Sequence, residues 1–211
     1  MIRIVTIERE YGCGGGEIAR RLAERLGWKL WDQQLTEEIA RLSDCPKAVV
    51  KDREERTDPL YYRLFKSFLR GSYEGSLNAH KLKLVDSESI LKITERVVRH
   101  AASTGDCVVV GRGSQHFLQN QRDALRVFLY APREDKVRRV MSGGKTEREA
   151  QELVDTVDRD RVKFIQKYFH VEWPSRSIYQ IMMNTSVGVE AVVQTILNFM
   201  NTSFRTTDRS S

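Results

Sequence analysis

Cysteine and long apolar runs are both scarce in this chain, and each scarcity removes a class of protein. Three cysteines among 211 residues, Cys13, Cys45 and Cys107, are too few and too scattered for a disulfide framework or a zinc site. They read as unpaired thiols, which fits a reducing compartment. No apolar run approaches the roughly 18–20 residues needed to span a bilayer, and the first residues lack the basic start and cleavage site of a secretory leader. The expected location is therefore the cytoplasm. There the sequons Asn184-Thr185-Ser186 and Asn201-Thr202-Ser203 have no route to use. No internal repeat is visible. The formal net charge is +6 and the sequence pI about 9.3. That balance admits nucleic acid, an acidic surface or phosphorylated small molecules. Between Arg133 and Lys167, however, the basic residues alternate with Asp and Glu instead of forming a stripe interleaved with aromatics. Small-molecule ligands are expected, with no nucleic acid and no membrane.

What is present is enough for one good core: 40% apolar and 30% charged residues over 211 positions describe a single globular domain. Its first feature is an apolar run, Ile2 to Ile7, then Tyr11-Gly12-Cys13-Gly14-Gly15-Gly16, then an amphipathic stretch, Glu17 to Leu26. This reads as strand, glycine turn and helix. Ile18, Ala19, Leu22, Ala23 and Leu26 fall on one helical face. Glycines let a backbone close around an anion, and a helix N-terminus offers unpaired N–H groups with a partial positive charge, so the pattern suits phosphate binding. A tight turn into a packed helix gives the same pattern. The usual phosphate loop reads G-x-x-x-x-G-K-[ST], its lysine reaching the terminal phosphates and its hydroxyl holding magnesium. Here Arg9 stands at the first glycine and Gly15 at the lysine. The frame remains; the lysine and the hydroxyl are absent.

Five short apolar runs have strand character: Ile2 to Ile7, Trp28 to Trp31, Cys107 to Val110, Arg126 to Tyr130 and Ile178 to Met183. Helical patterns lie between them, over Thr36 to Leu42, Ser87 to Ala102, Glu134 to Met141, Thr146 to Tyr168 and Val189 to Met200. Alternation of this kind predicts a mainly parallel sheet with helices on both faces and ligands at the carboxyl ends of the strands. Residues 43–86 break the alternation and read as a helical insertion, with Tyr61, Tyr62, Phe65 and Phe68 at helical spacing as core or subunit contact. Gly143-Gly144-Lys145 reads equally as a lid hinge or a plain loop. Residues 202–211 lack periodicity and read as a disordered tail, leaving 1–201 as the domain.

Glu8-Arg9-Glu10-Tyr11-Gly12-Cys13-Gly14-Gly15, Trp31-Asp32-Gln33, Gly111-Arg112-Gly113, Asp158-x-x-Arg161 and the segment Tyr179 to Thr185 together resemble the cytidylate kinase-like family, a branch of the P-loop nucleoside monophosphate kinases. The resemblance runs from Ile2 to about Met200. It implies a nucleoside-kinase-type three-layer α/β/α fold with a five-stranded parallel sheet, and lid-side helices over 133–169. It also implies transfer of the gamma phosphoryl of ATP, with Mg2+, to a nucleoside monophosphate, CMP being the default acceptor. Tyr11, Gly12, Cys13, Gly14, Gly15, Gly16 and Glu17 would then cradle the donor. Arg112 would hold the acceptor phosphate, with Asp32 and Gly113 beside it. In the true cytidylate kinases an aspartate follows that arginine, and Gly113 replaces it here. Arg9 would substitute for the missing lysine, joined by Lys136, Arg139 and Arg161 in neutralising the transfer. Asp158 and Arg161 share a helical spacing that fits either a cleft-facing pair or a surface ion pair, and Arg159 and Asp160 read as solvent facing. Glu17 and Asp32 are possible outer ligands of magnesium; the metal site itself is left open. With no loop lysine, the alternative is a catalytically weak nucleotide-binding or regulatory protein on a kinase fold.

Overall fold

Ile4–Arg9 forms the central strand, β1, and all six of its residues are buried although three of them, Thr6, Glu8 and Arg9, are polar or charged. A computed structural model describes residues 1–43 and 87–207; the expectations for residues 44–86, including the aromatic cluster, and for 208–211 lie outside the described residues. β1 pairs in parallel with β3 (Cys107–Val110) in register from Ile4 opposite Cys107 to Ile7 opposite Val110. On its other side it pairs in parallel with β4 (Ala124–Tyr130), ending with Arg9 opposite Leu129. β2 (Lys29–Trp31) and β5 (Ile181–Asn184) complete a five-stranded parallel sheet in the order β2-β3-β1-β4-β5. Parallel strands covered on both faces need apolar side chains on both, which is why these strands read as continuous apolar runs.

Alternate residues of the inner strands feed two cores. Ile4 and Val109 face Leu35 and Ile39 of α2 (Gln33–Ser43), Val97 and Val98 of α3 (Ser87–Ser103) and Phe164 of the long helix described below. Val5, Ile7, Val108 and Val110 face Ile18 and Leu22 of α1 (Gly15–Leu26) and Val192, Val193 and Ile196 of the last helix. After β3 comes α4 (Ser114–Phe117), a four-residue helix that the sequence pattern is too short to reveal. β4 is followed by α5 (Arg133–Ser142), then α6 (Glu147–Phe169), whose start is fixed by a capping box between Thr146 and Glu149. Tyr11 is the hub of a third, smaller core. It is buried with Val137 and Val140 of α5 and Ala150, Val154 and Val157 of α6.

The last helix, α7, spans Val189–Thr207 and so continues through residues 202–207, which the sequence reads as part of a disordered tail. A helix already anchored by Val192, Ile196 and Met200 propagates at little further cost, even through polar residues. Among the described residues, no helix is long and apolar enough to cross a membrane.

His116 of α4 is buried and stacked on Phe169 at 4.3 Å between ring centroids. Burial pushes its pKa down to about 4, with Glu8 opposing. The imidazole therefore stays neutral in the native state while the unfolded chain takes up a proton below about pH 6.5. Stability conferred above that pH is lost as pH falls toward 4, by up to about 3 kcal/mol. Urea unfolding between pH 7 and 4 is expected to show this slope in the wild type and a flatter one in His116→Phe; parallel slopes would contradict the assignment.

Candidate active site

The carboxyl ends of β1, β3 and β4 meet at one edge of the sheet, and each delivers charged or polar groups there. The chain leaves β1 with the Glu10 amide donating to the Leu129 carbonyl (2.9 Å), then turns through Gly12 (φ 76°) and Gly14 (φ 82°) into α1. Gly12 is required twice over. Its φ lies in the left-handed region, and a Cβ there would stand 3.0 Å from the Lys136 carbonyl oxygen and from Cγ2 of Val140. Gly14 is the N-cap of α1 and no side chain caps that helix. Its first turn, Gly15 to Glu17, opens on a cavity of about 1140 Å³ with Arg139 and Lys145 on its wall. An uncapped helix N-terminus facing a cavity suits an anion.

Two clamps hold the loop. On one side Asp158 of α6 accepts from the Tyr11 backbone N–H (2.7 Å), from Nζ of Lys136 (3.1 Å) and from Nη1 of Arg161 (3.3 Å). Arg161 Nη1 also donates to the Arg9 carbonyl (2.8 Å), and Lys136 Nζ to Oε2 of Glu10 (3.0 Å). On the other side the Cys13 carbonyl accepts from Oγ1 of Thr185 (2.6 Å) and Nη1 of Arg139 (2.9 Å). Arg139 Nη2 continues to the Thr185 carbonyl (3.1 Å). Cys13 itself is buried and its thiol is pushed up to about 11 by burial, so it carries no thiolate near neutrality.

Each residue singled out from sequence has a definite place in this arrangement. The aliphatic stem of Arg9 packs on Gly15, and its Nη1 fills the space where a Cβ on Gly111 would stand. Its guanidinium therefore points toward β3, not toward the lysine position of the loop. Arg112, at φ 61°, is 1% exposed and shares a small pocket with Glu8, Arg9, Arg161 and Trp173. Burial pushes its pKa down to about 9; Arg9 and Arg161 push the same way, while Asp32 and Glu8 oppose. Arg161 is lowered for the same first reason, burial, and then by Arg9.

Lys136 is not on the cavity wall. Burial alone would lower its pKa, but Asp158 and Glu10 hold the ammonium above its ordinary value. Glu17 bonds outward to Arg20 (2.8 Å) and Arg21 (2.6 Å), which hold its carboxyl below the usual range. Asp32 is buried on the cavity wall. At Gly113 a Cβ would come within 2.8 Å of Cζ of Phe169, so no side chain fits after Arg112. Arg159 is exposed as the pattern predicts, but Asp160 is buried and not solvent facing: α6 packs on both the sheet and α5, which leaves it a narrower wet face than its charge pattern implies.

Sequence reasoning quoted Glu8, Glu10, Thr185 and Lys145 within its motifs but gave none of them a role at the site; Lys145 stands on the cavity wall. Glu8 accepts from the Arg9 amide (3.0 Å) and from Nε2 of Gln115 (3.0 Å). Acidic residues flanking an arginine at the end of an otherwise apolar strand are the signal that was available, since such groups are rarely buried without partners.

The clamp at Asp158 makes a measurable demand. Asp158→Ala leaves Lys136 and Arg161 buried without their shared carboxylate, and loss of one partner from such a set costs about 3–5 kcal/mol. Urea denaturation is expected to show a loss of that order, with Asp158→Asn less affected; wild-type stability for Asp158→Ala would contradict the clamp.

A model of the cytidylate kinase-like family matches residues 4–187 of the chain. The cytidylate kinase of Shewanella sediminis (strain HAW-EB3) is 32% identical over 100 residues, covering 47% of this chain and 42% of that protein, so the chain matches less than half the length of this relative. Among solved structures, an uncharacterized protein from Eubacterium ventriosum ATCC 27560 superposes with a TM-score of 0.68 at 22% identity, covering 96% of this chain and 99% of the other. The shikimate kinase of Acinetobacter baumannii, solved in complex with shikimate, gives 0.54 at 17% identity over 96% and 95% of the two chains. At such identities the solved structures establish the fold, that of the P-loop kinases.

Proposed function

The chain belongs to the cytidylate kinase-like family, and from that premise we propose that it transfers the gamma phosphoryl of ATP to a nucleoside monophosphate, with CMP the first acceptor to try. The observation that carries this reading is the convergence of buried Arg9, Arg112 and Arg161 beneath a glycine loop whose helix N-terminus opens on the large cavity. Phosphoryl transfer asks little covalent help of a protein. It asks for charge neutralisation and for donor and acceptor held in line.

In this reading the backbone of Gly12 to Glu17 receives the donor phosphates, and Arg139, beside Gly14, lies against them. Arg112 holds the acceptor phosphate through its guanidinium fork, with Arg9 and Arg161 adding positive charge and Asp32 on the acceptor side of the cavity. Lys136 acts indirectly, by tying Glu10 to Asp158 and so shaping the loop. Among the described residues no group of three metal-ligating side chains stands together. Magnesium would then arrive with the nucleotide, held by phosphate oxygens and water, with Asp32 among the carboxylates on the wall that could meet its water shell. Glu17 fits that role less well, because its carboxylate is committed to Arg20 and Arg21.

A second reading, a catalytically weak nucleotide-binding or regulatory protein, is favoured by one observation, the glycine at the lysine position with the Arg9 stem packed against it. A coupled ADP-release assay with ATP, magnesium and each common nucleoside monophosphate separates the two. Acceptor-dependent ADP release supports the kinase; tight ATP binding in calorimetry without release supports the regulator.

A further inference from the structure

Transfer of a terminal phosphoryl needs a cation over the donor phosphates, and the loop supplies none of its own. At the lysine position, a Cβ on Gly15 would stand 2.9 Å from Cβ and Cγ of Arg9. The Arg9 guanidinium turns to Gly111. The other described cations on the cavity wall are engaged: Arg20 with Glu17 and Glu24, Lys29 over the Trp31 ring at 3.9 Å, Arg139 with Cys13 and Thr185, and Arg161 with Asp158 and the Arg9 carbonyl.

Lys145 is different. It is exposed on the rim of the same cavity, and among the described residues its ammonium meets Glu149 through a longer-range attraction and not through a hydrogen bond or close ion pair. Its backbone setting is also distinct. Gly143 ends α5, Gly144 has φ 91° with nothing within 4 Å of where a Cβ would stand, and Thr146 is pinned as the N-cap of α6 by its capping box. Lys145 thus sits between a glycine pair, whose amides donate to the Val140 and Met141 carbonyls (3.2 and 2.9 Å) at the end of α5, and a fixed helix start, and a small rotation at Gly144 swings it relative to the loop.

We propose that Lys145 is the cation that closes on the terminal phosphates of the donor, supplying from the cavity rim the charge that a lysine within the loop ordinarily provides. The inference rests on the kinase reading above. In the step, the bond from the gamma phosphorus to the bridging oxygen breaks, that oxygen keeps the electron pair as ADP leaves, and an oxygen of the acceptor phosphate forms the new bond. Lys145 keeps its proton throughout and is a catalytic residue by contact with the transferring group.

The test compares the full-length wild type with Lys145→Ala, Lys145→Arg and Arg148→Ala, the last an exposed cation three residues on that does not line the cavity. Steady-state kinetics with ATP and the best acceptor are expected to show kcat down about 10²–10³-fold in Lys145→Ala, the scale for losing one electrostatic transition-state group. Recovery of most of that loss in Lys145→Arg, and a wild-type rate in Arg148→Ala, are expected with it. A wild-type kcat in Lys145→Ala overturns the proposal while leaving the kinase reading standing. If the wild type turns over no acceptor, the kinase reading fails and the inference is read from calorimetry instead: Lys145→Ala weakening ATP but not ADP supports it, and equal weakening or none overturns it. A wild type that binds neither nucleotide overturns both.

Discussion

Arg112→Ala is expected to lower kcat/KM for the acceptor about 10²–10³-fold while leaving ATP binding within a few-fold of wild type. The magnitude follows from where the guanidinium sits. It is 1% exposed and enclosed with Arg9 and Arg161, with Glu8 and Asp32 opposing their charge. An acceptor phosphate that meets this guanidinium gains a fork of charge-assisted hydrogen bonds from a group shielded from water, and truncating such a group costs about 2–5 kcal/mol. Arg112→Lys should recover only part of the loss, because an ammonium cannot grip two oxygens in a plane.

Gly15→Lys, the substitution that restores the ordinary loop lysine on paper, is expected to lower both stability and turnover. Two positions of the frame have changed together. Arg9 occupies the place of its first glycine and Gly15 the place of its lysine, and the stem of the one packs so closely on the other that a Cβ at 15 would stand 2.9 Å from Cβ and Cγ of Arg9. A side chain at 15 must displace Arg9, which is itself wedged against Gly111, and overpacking of this kind costs about 1–3 kcal/mol. Turnover should fall at least about tenfold, because the displaced Arg9 carbonyl is also the acceptor that holds Arg161. The pair Arg9→Gly with Gly15→Lys should be more stable than the sum of its single changes, by a coupling of about 1–3 kcal/mol measured by urea unfolding of all four proteins. Additive losses, or a gain of activity in Gly15→Lys alone, would mean that the two positions are independent.

The parts of this arrangement that the sequence displays are those governed by neighbours along the chain. β1, β3 and α1 follow from runs whose burial on one or two faces repeats at the period of the element, and the glycine turn between β1 and α1 is required by left-handed backbone at Gly12 and Gly14. The convergence of Arg9, Arg112 and Arg161 was approachable because each stands at a strand end or follows a carboxylate at helical spacing. What connects them was not. Tyr11 and Asp158 are 147 residues apart, and nothing in the composition of α6 says that this aspartate, and not its neighbour Asp160, reaches the loop. Lys136 and Arg139, three apart on α5, diverge to different clamps, since one meets the carboxylates of Glu10 and Asp158 and the other the carbonyls of Cys13 and Thr185. Phe169 covering Gly113 is likewise a meeting of distant elements, and it closes the position where the resemblance would set an aspartate.

The most direct test of the central claim, that a kinase of this fold moves a phosphoryl group without a loop lysine, is phosphorus NMR of the wild-type protein with ATP, magnesium and CMP. Growth of CDP and ADP signals in equal amounts, absent when CMP is omitted and slowed in Arg112→Ala, is the predicted result. ATP that stays intact over hours while calorimetry shows it bound would contradict the claim and leave a nucleotide-binding protein on a kinase fold.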